Sequence, residues 1–81
     1  MKAFHLTIAR VGENLFDEDA LSVTVPGAGG VFTVLADHEP FVSTLASGTI
    51  LIKTPEGGDH TFTIEGGGIV EVSYNQATIL L

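Results

Sequence analysis

The chain has 81 residues, 44% of them hydrophobic, no cysteine, and three basic against ten acidic residues for a formal net charge of −7. That length suits one small domain, which buries only about 60–65% of its unfolded surface, so a lone fold must use its apolar residues economically. The cysteine count excludes disulfides and thiolate metal sites, and Lys2, Arg10 and Lys53 are too few and scattered for nucleic acid or an anionic membrane surface.

In chain order, period-two alternation dominates. Phe4, Leu6 and Ile8 alternate with His5, Thr7 and Ala9, with no apolar targeting run before them. After Leu15-Phe16 comes the only charge run, Asp17-Glu18-Asp19, expected in a loop. Leu21, Val23 and Val25 alternate with Ser22 and Thr24, and Pro26-Gly27-Ala28-Gly29-Gly30 then breaks the chain. Val31 to Leu35 and Phe41 to Leu45 are apolar runs flanking the turn Asp37-His38-Glu39-Pro40, and Ala46-Ser47-Gly48 closes the second. Ile50 and Ile52 precede a hairpin at Thr54-Pro55-Glu56-Gly57-Gly58-Asp59, and Phe62 and Ile64 follow it. Val70 and Val72, the turn Asn75-Gln76, and the run Ala77 to Leu81 complete the chain.

No segment keeps a 3.6-residue period long enough for a helix. The pattern predicts an all-β fold, a small β-sandwich of about eight to ten short, mainly antiparallel strands in one domain over 1–81. No stretch reaches the roughly 18–20 apolar residues that span a bilayer, so the expectation is a soluble, cytoplasmic chain.

The chemistry-bearing residues are sparse. Gly27-Ala28-Gly29-Gly30 lacks the following helix and lysine of a phosphate loop and reads as a turn. His5, His38 and His60, two of them beside Asp37, Glu39 and Asp59, do not show metal-ligand spacing. Ser43 lies in no nucleophile-elbow sequence that would pair it with His38. His38 reads as a turn residue capping backbone groups, or as a partner contact. Gly66-Gly67-Gly68 implies a bulge or close backbone packing, against a neighbouring strand or another subunit.

The ordered set Gly30-x-Phe32-Thr33-Val34-Leu35-x-x-His38-Glu39-Pro40-x-Val42-Ser43-x-Leu45-x-x-Gly48 resembles the N-terminal domain of the epsilon subunit of rotary F-type ATP synthases. So does Phe62-x-Ile64-x-Gly66-Gly67-x-x-x-Glu71-Val72-x-x-Asn75-x-x-Thr78-Ile79-Leu80, and the opening Phe4-His5-Leu6, Leu15-Phe16 and Leu21 to Val25 match in order and spacing. The resemblance covers essentially the whole chain. It implies a β-sandwich in the central stalk that binds the gamma subunit and the membrane rotor ring of c subunits, coupling proton flow to ATP synthesis. It implies no catalysis and no cofactor in the domain itself, and a place on the cytoplasmic face of the energy-transducing membrane. By the same carry-over, Gly29, Gly30, Val31, Asp37, His38, Glu39, Pro40 and Val42 are the candidate partner-contact residues. A free-standing sandwich that binds a peptide or small ligand is the alternative.

Three departures from the family pattern bear on that reading. Many relatives carry a carboxylate where Val31 stands, so the ring contact would rest on Asp37 or Glu39. Relatives commonly have Pro followed by Gly or Asn before the histidine where this chain has Ala36-Asp37, a departure that bears on the turn geometry. The C-terminal helical hairpin that carries inhibition, and in some members ATP binding, is absent from this sequence. Val31, Val42 and Ile69 are candidates for apolar surface beyond the core, unless the sandwich interior claims them.

Overall fold

The computed structural model describes residues 2–81. Nine strands form in chain order: β1 (Phe4–Arg10), β2 (Glu13–Ala20), β3 (Ser22–Gly27), β4 (Gly30–Leu35), β5 (Phe41–Thr44), β6 (Gly48–Lys53), β7 (Asp59–Ile64), β8 (Ile69–Ser73) and β9 (Gln76–Leu80). They build two sheets, β2-β1-β9-β8-β5 and β4-β3-β6-β7. The first and last strands lie side by side in parallel, with Leu6 opposite Ala77 and Ile8 opposite Ile79. Every other pairing between these strands is antiparallel.

Alternation sends Leu6, Ile8, Val23, Val25, Ile50, Ile52, Val70, Ala77 and Ile79 between the sheets, each fully buried. Each large aliphatic side chain so buried contributes about 1.5–3 kcal/mol of transfer free energy, which favours the folded chain without metal or disulfide. Two aromatic contacts cover the open sides of this core. Phe16 of β2 meets His60 of β7 edge-on at 5.4 Å between ring centroids, and on the opposite side Phe32 of β4 meets Phe41 of β5 at 5.2 Å.

The charge run is not a loop. Asp17, Glu18 and Asp19 lie within β2, an edge strand held by Phe16 and Ala20, which are 6% and 0% exposed. Acidic side chains suit such an edge because they discourage further strand addition there. The glycine-rich break is also shorter than its composition implies. β3 runs through Pro26 to Gly27, opposite Gly30, leaving only Ala28 and Gly29 as the turn. In the β7–β8 connection, Gly66 and Gly67 take φ of 96° and 82°, and a Cβ on Gly68 would stand 2.7 Å from the Leu80 carbonyl oxygen. Gly68 therefore serves close packing within the domain, and Gly66 and Gly67 supply positive φ where the chain passes from one sheet to the other.

Candidate partner-contact site

The β3–β4 hairpin projects Gly29 and Gly30 into solvent, with no heavy atom within 4 Å of an added Cβ on either. Its narrow neck depends on Gly27, where a Cβ would meet both the Gly30 oxygen and the Phe32 ring at 2.8 Å. Val31 follows, 73% exposed, on the outer face of the four-stranded sheet. Val42 and Ile69 are exposed too, at 63% and 44%. They occupy the outer face of the other sheet, so the apolar surface is divided between two faces and not gathered in one patch.

Beyond β4 the chain turns at Asp37, whose φ of 63° is the left-handed conformation that Gly or Asn adopts most readily and that Asp tolerates. Asp37 itself thus supplies the left-handed position of this turn. Asp37 N–H donates to the Tyr74 carbonyl at 2.8 Å, and Lys2 Nζ donates to Asp37 Oδ2 at 2.8 Å. With its side-chain amide turned to satisfy both neighbours, Asn75 Nδ2 donates to Asp37 Oδ1 at 3.1 Å. Asp37 is therefore tied to the β8–β9 turn. His38 Nδ1–H donates to the Glu39 carbonyl at 2.7 Å, which fixes the ring as a cap on its own turn. Glu39 and Pro40 stand exposed beside it.

These segments enclose a groove of about 420 Å3 lined by Gly29, Gly30, Val31, Phe32, His38, Phe41 and Ser43. Four of the sequence-derived residues thus meet: Gly29, Gly30, Val31 and His38. Asp37, Glu39, Pro40 and Val42 lie outside its lining. Phe32, Phe41 and Ser43 were not singled out as contacts. Phe32 and Phe41 become wall residues because they belong to edge strands of different sheets, a relation that only the strand order reveals. Ser43 Oγ–H donates to the Thr44 carbonyl at 2.9 Å and not to His38, so no nucleophile–base pair forms here.

A second polar cluster lies on the far side of the five-stranded sheet. The β1–β2 register sets His5 opposite Asp19 and Thr7 opposite Asp17. His5 Nε2 bonds Asp17 Oδ1, Nδ1 stands 3.4 Å from Asp19 Oδ1, and Thr7 Oγ1 donates to Asp17 at 3.2 Å. Hydrogen bonding to Asp17, then to Asp19, raises the His5 pKa, while the His5 bond and then the Thr7 bond lower that of Asp17. The two carboxylates engage different ring nitrogens, which is an ion-pair staple and not a chelating geometry.

A two-sheet sandwich with an exposed hairpin tip and an aromatic groove at one sheet edge defines a small all-β sandwich domain. Residues 3–81 match the ATP synthase delta/epsilon chain β-sandwich domain, and the chain belongs to that family. It is similar to the ATP synthase epsilon chain of Chlorobaculum tepidum, 38% identical over 79 residues that cover 98% of this chain and 89% of that protein. It is 40% identical over 77 residues to the epsilon chain of Protochlamydia amoebophila, covering 95% of this chain but 52% of that one. The fold superposes with a TM-score of 0.88 and 28% identity on a chain of the Euglena gracilis mitochondrial ATP synthase, solved as an OSCP/F1/c-ring assembly. That match covers 96% of this chain and 49% of the Euglena chain. A chain of the Tetrahymena thermophila central stalk and c-ring shares the fold at a TM-score of 0.75 and 15% identity. The chain thus spans about half the length of some relatives and nearly all of others.

Proposed function

We propose that this domain is a central-stalk component of a proton-translocating F-type ATP synthase, joining the gamma subunit to the membrane rotor ring of c subunits. It acts by contact and carries out no chemistry itself, on the cytoplasmic face of the energy-transducing membrane. The observation that carries the reading is the union of hairpin tip, His38 turn and aromatic groove at one sheet edge, within a chain whose relatives are epsilon chains. A transmission element must resist shear, and a sandwich with both open sides covered by ring contacts is suited to that. At the hairpin tip Val31 offers apolar surface, and Glu39 is the nearby carboxylate free of an intramolecular ion pair among the described residues. Asp37 is engaged by Lys2 and Asn75, so Glu39 is the better placed of the two acids for an external contact.

Synthase-containing inverted membrane vesicles test this. His38→Ala and Glu39→Lys should reduce ATP-driven proton pumping while the isolated domain unfolds within a few degrees of wild type. Equal loss of folding and coupling would remove the contact role. The groove and open edge also meet the requirement of a free-standing peptide-binding module, which would bind its ligand without any synthase subunit.

A further inference from the structure

We propose that the free edge of β4 docks an extended segment of a neighbouring polypeptide, one with basic flanks and a single large apolar side chain. The inference rests on the reading that this end of the domain meets another subunit, and it adds the manner of contact. Pro26 pairs with Val31 and has no N–H, so this is a non-hydrogen-bonded pair of the β3–β4 ladder. The Val31 N–H and C=O therefore point away from β3, and alternation gives Thr33 and Leu35 the same orientation. The Leu35 carbonyl accepts from His38 N–H at 3.3 Å. Val31 and Thr33 thus present two donors and two acceptors that no other group engages among the described residues.

Each of the other sheet edges carries a charge, a bulge or an existing contact. β2 carries Glu13, Asp17, Glu18 and Asp19 and faces a bulge at Ile8 and Ala9. β5 is four residues long behind Pro40, and its Thr44 carbonyl already accepts from Ala28 N–H at 2.9 Å. β7 begins with Asp59 and His60. β4 has neither charge nor proline along its length, which leaves it open to strand addition.

Directly opposed residues share a face, so the incoming residue opposite Phe32 enters the groove between Phe32, His38 and Phe41. That space of about 420 Å3 admits a leucine-sized side chain with room for adjustment. Its neighbours opposite Val31 and Thr33 stay on the outer face. Glu39 at the rim and the chain's net charge of −7 favour basic flanks. A second copy would bring its own −7 and be repelled.

The test uses a synthetic seven-residue peptide with lysine at each end, threonine and valine alternating, and a central leucine, titrated into the folded chain and followed by backbone amide NMR. Shift changes should centre on Val31, Phe32, Thr33 and His38, with slowed exchange at the Val31 and Thr33 amides. Val31→Pro removes one outward donor and spares the β3 ladder, so it should weaken binding roughly tenfold, as the loss of a well-made hydrogen bond implies. N-methylating the peptide at the residue facing Val31 should do the same with the protein unaltered. Shifts centred on another edge, indifference to both changes, or a homodimer protecting Val31 and Thr33 would overturn the proposal. Absence of peptide binding beside an intact complex with gamma would overturn strand addition alone. Peptide binding without any gamma complex would instead overturn the stalk reading.

Discussion

Phe32 and Phe41 meet edge to face with ring centroids 5.2 Å apart, and this contact joins the edge strands of two different sheets. The pair closes one side of the core and lines the groove. Phe32 is half-buried and Phe41 is 43% exposed, so the first carries more of the packing. Phe32→Ala should cost about 2–3 kcal/mol and Phe41→Ala about 1–2 kcal/mol, less than fully buried rings because both remain partly in water. Urea unfolding of the two variants checks the order, and equal costs would contradict the weight given to the deeper burial of Phe32.

The hairpin gives a sharper contrast between Gly27 and Gly29, on either side of Ala28. Gly27→Ala places a Cβ 2.8 Å from the Gly30 oxygen and should destabilise by about 1–3 kcal/mol, whereas Gly29→Ala enters open space and should be close to neutral. Thermal unfolding separates the two, and similar melting temperatures would mean the neck relaxes freely.

Asp37 holds a left-handed backbone, so Asp37→Gly should be tolerated and Asp37→Ala should cost about 1 kcal/mol. The carboxylate's bonds to Lys2 and Asn75 would be lost in both variants, so the difference between them isolates the backbone term. Chemical denaturation of the pair measures it. Removing the exposed Lys2 ammonium alone should have little effect on stability, because such surface pairs are strongly screened.

His5 makes stability depend on pH in a defined direction. Its pKa is raised from 6.5 by the bonds to Asp17 and Asp19, so its contribution is full below about pH 6.5 and is lost as pH climbs through the folded value. The Asp17 pKa is lowered from 3.8, so that side of the pair contributes above about pH 3.8 and is lost on further acidification. Both groups are exposed, so the effect is small. His5→Gln should flatten the melting temperature against pH between about pH 5 and pH 8, a slope that calorimetry reads directly.

Much of the fold is written locally. Phe4, Leu6 and Ile8 identify β1 because a two-residue period has only one physical reading, and Thr54 to Asp59 identify a hairpin because Gly57 takes φ of 89°. β2 is less legible, since three consecutive acids look solvated until Phe16 and Ala20 are seen to anchor them beside β1. The His5 staple was hidden for the same reason: its partners lie 12 and 14 residues away and meet it only through the strand register. The candidate site was half legible. Gly29 to Val31 and His38 lie in a recognisable pattern, but the groove exists only because β4 and β5, joined by a short turn, end at the same side of separate sheets.

The most direct measurement is co-expression of this chain with a cognate gamma subunit, followed by size-exclusion chromatography. A stalk component should co-elute with gamma as one stable complex that survives dilution. Two separate peaks, with both proteins folded, would contradict the account.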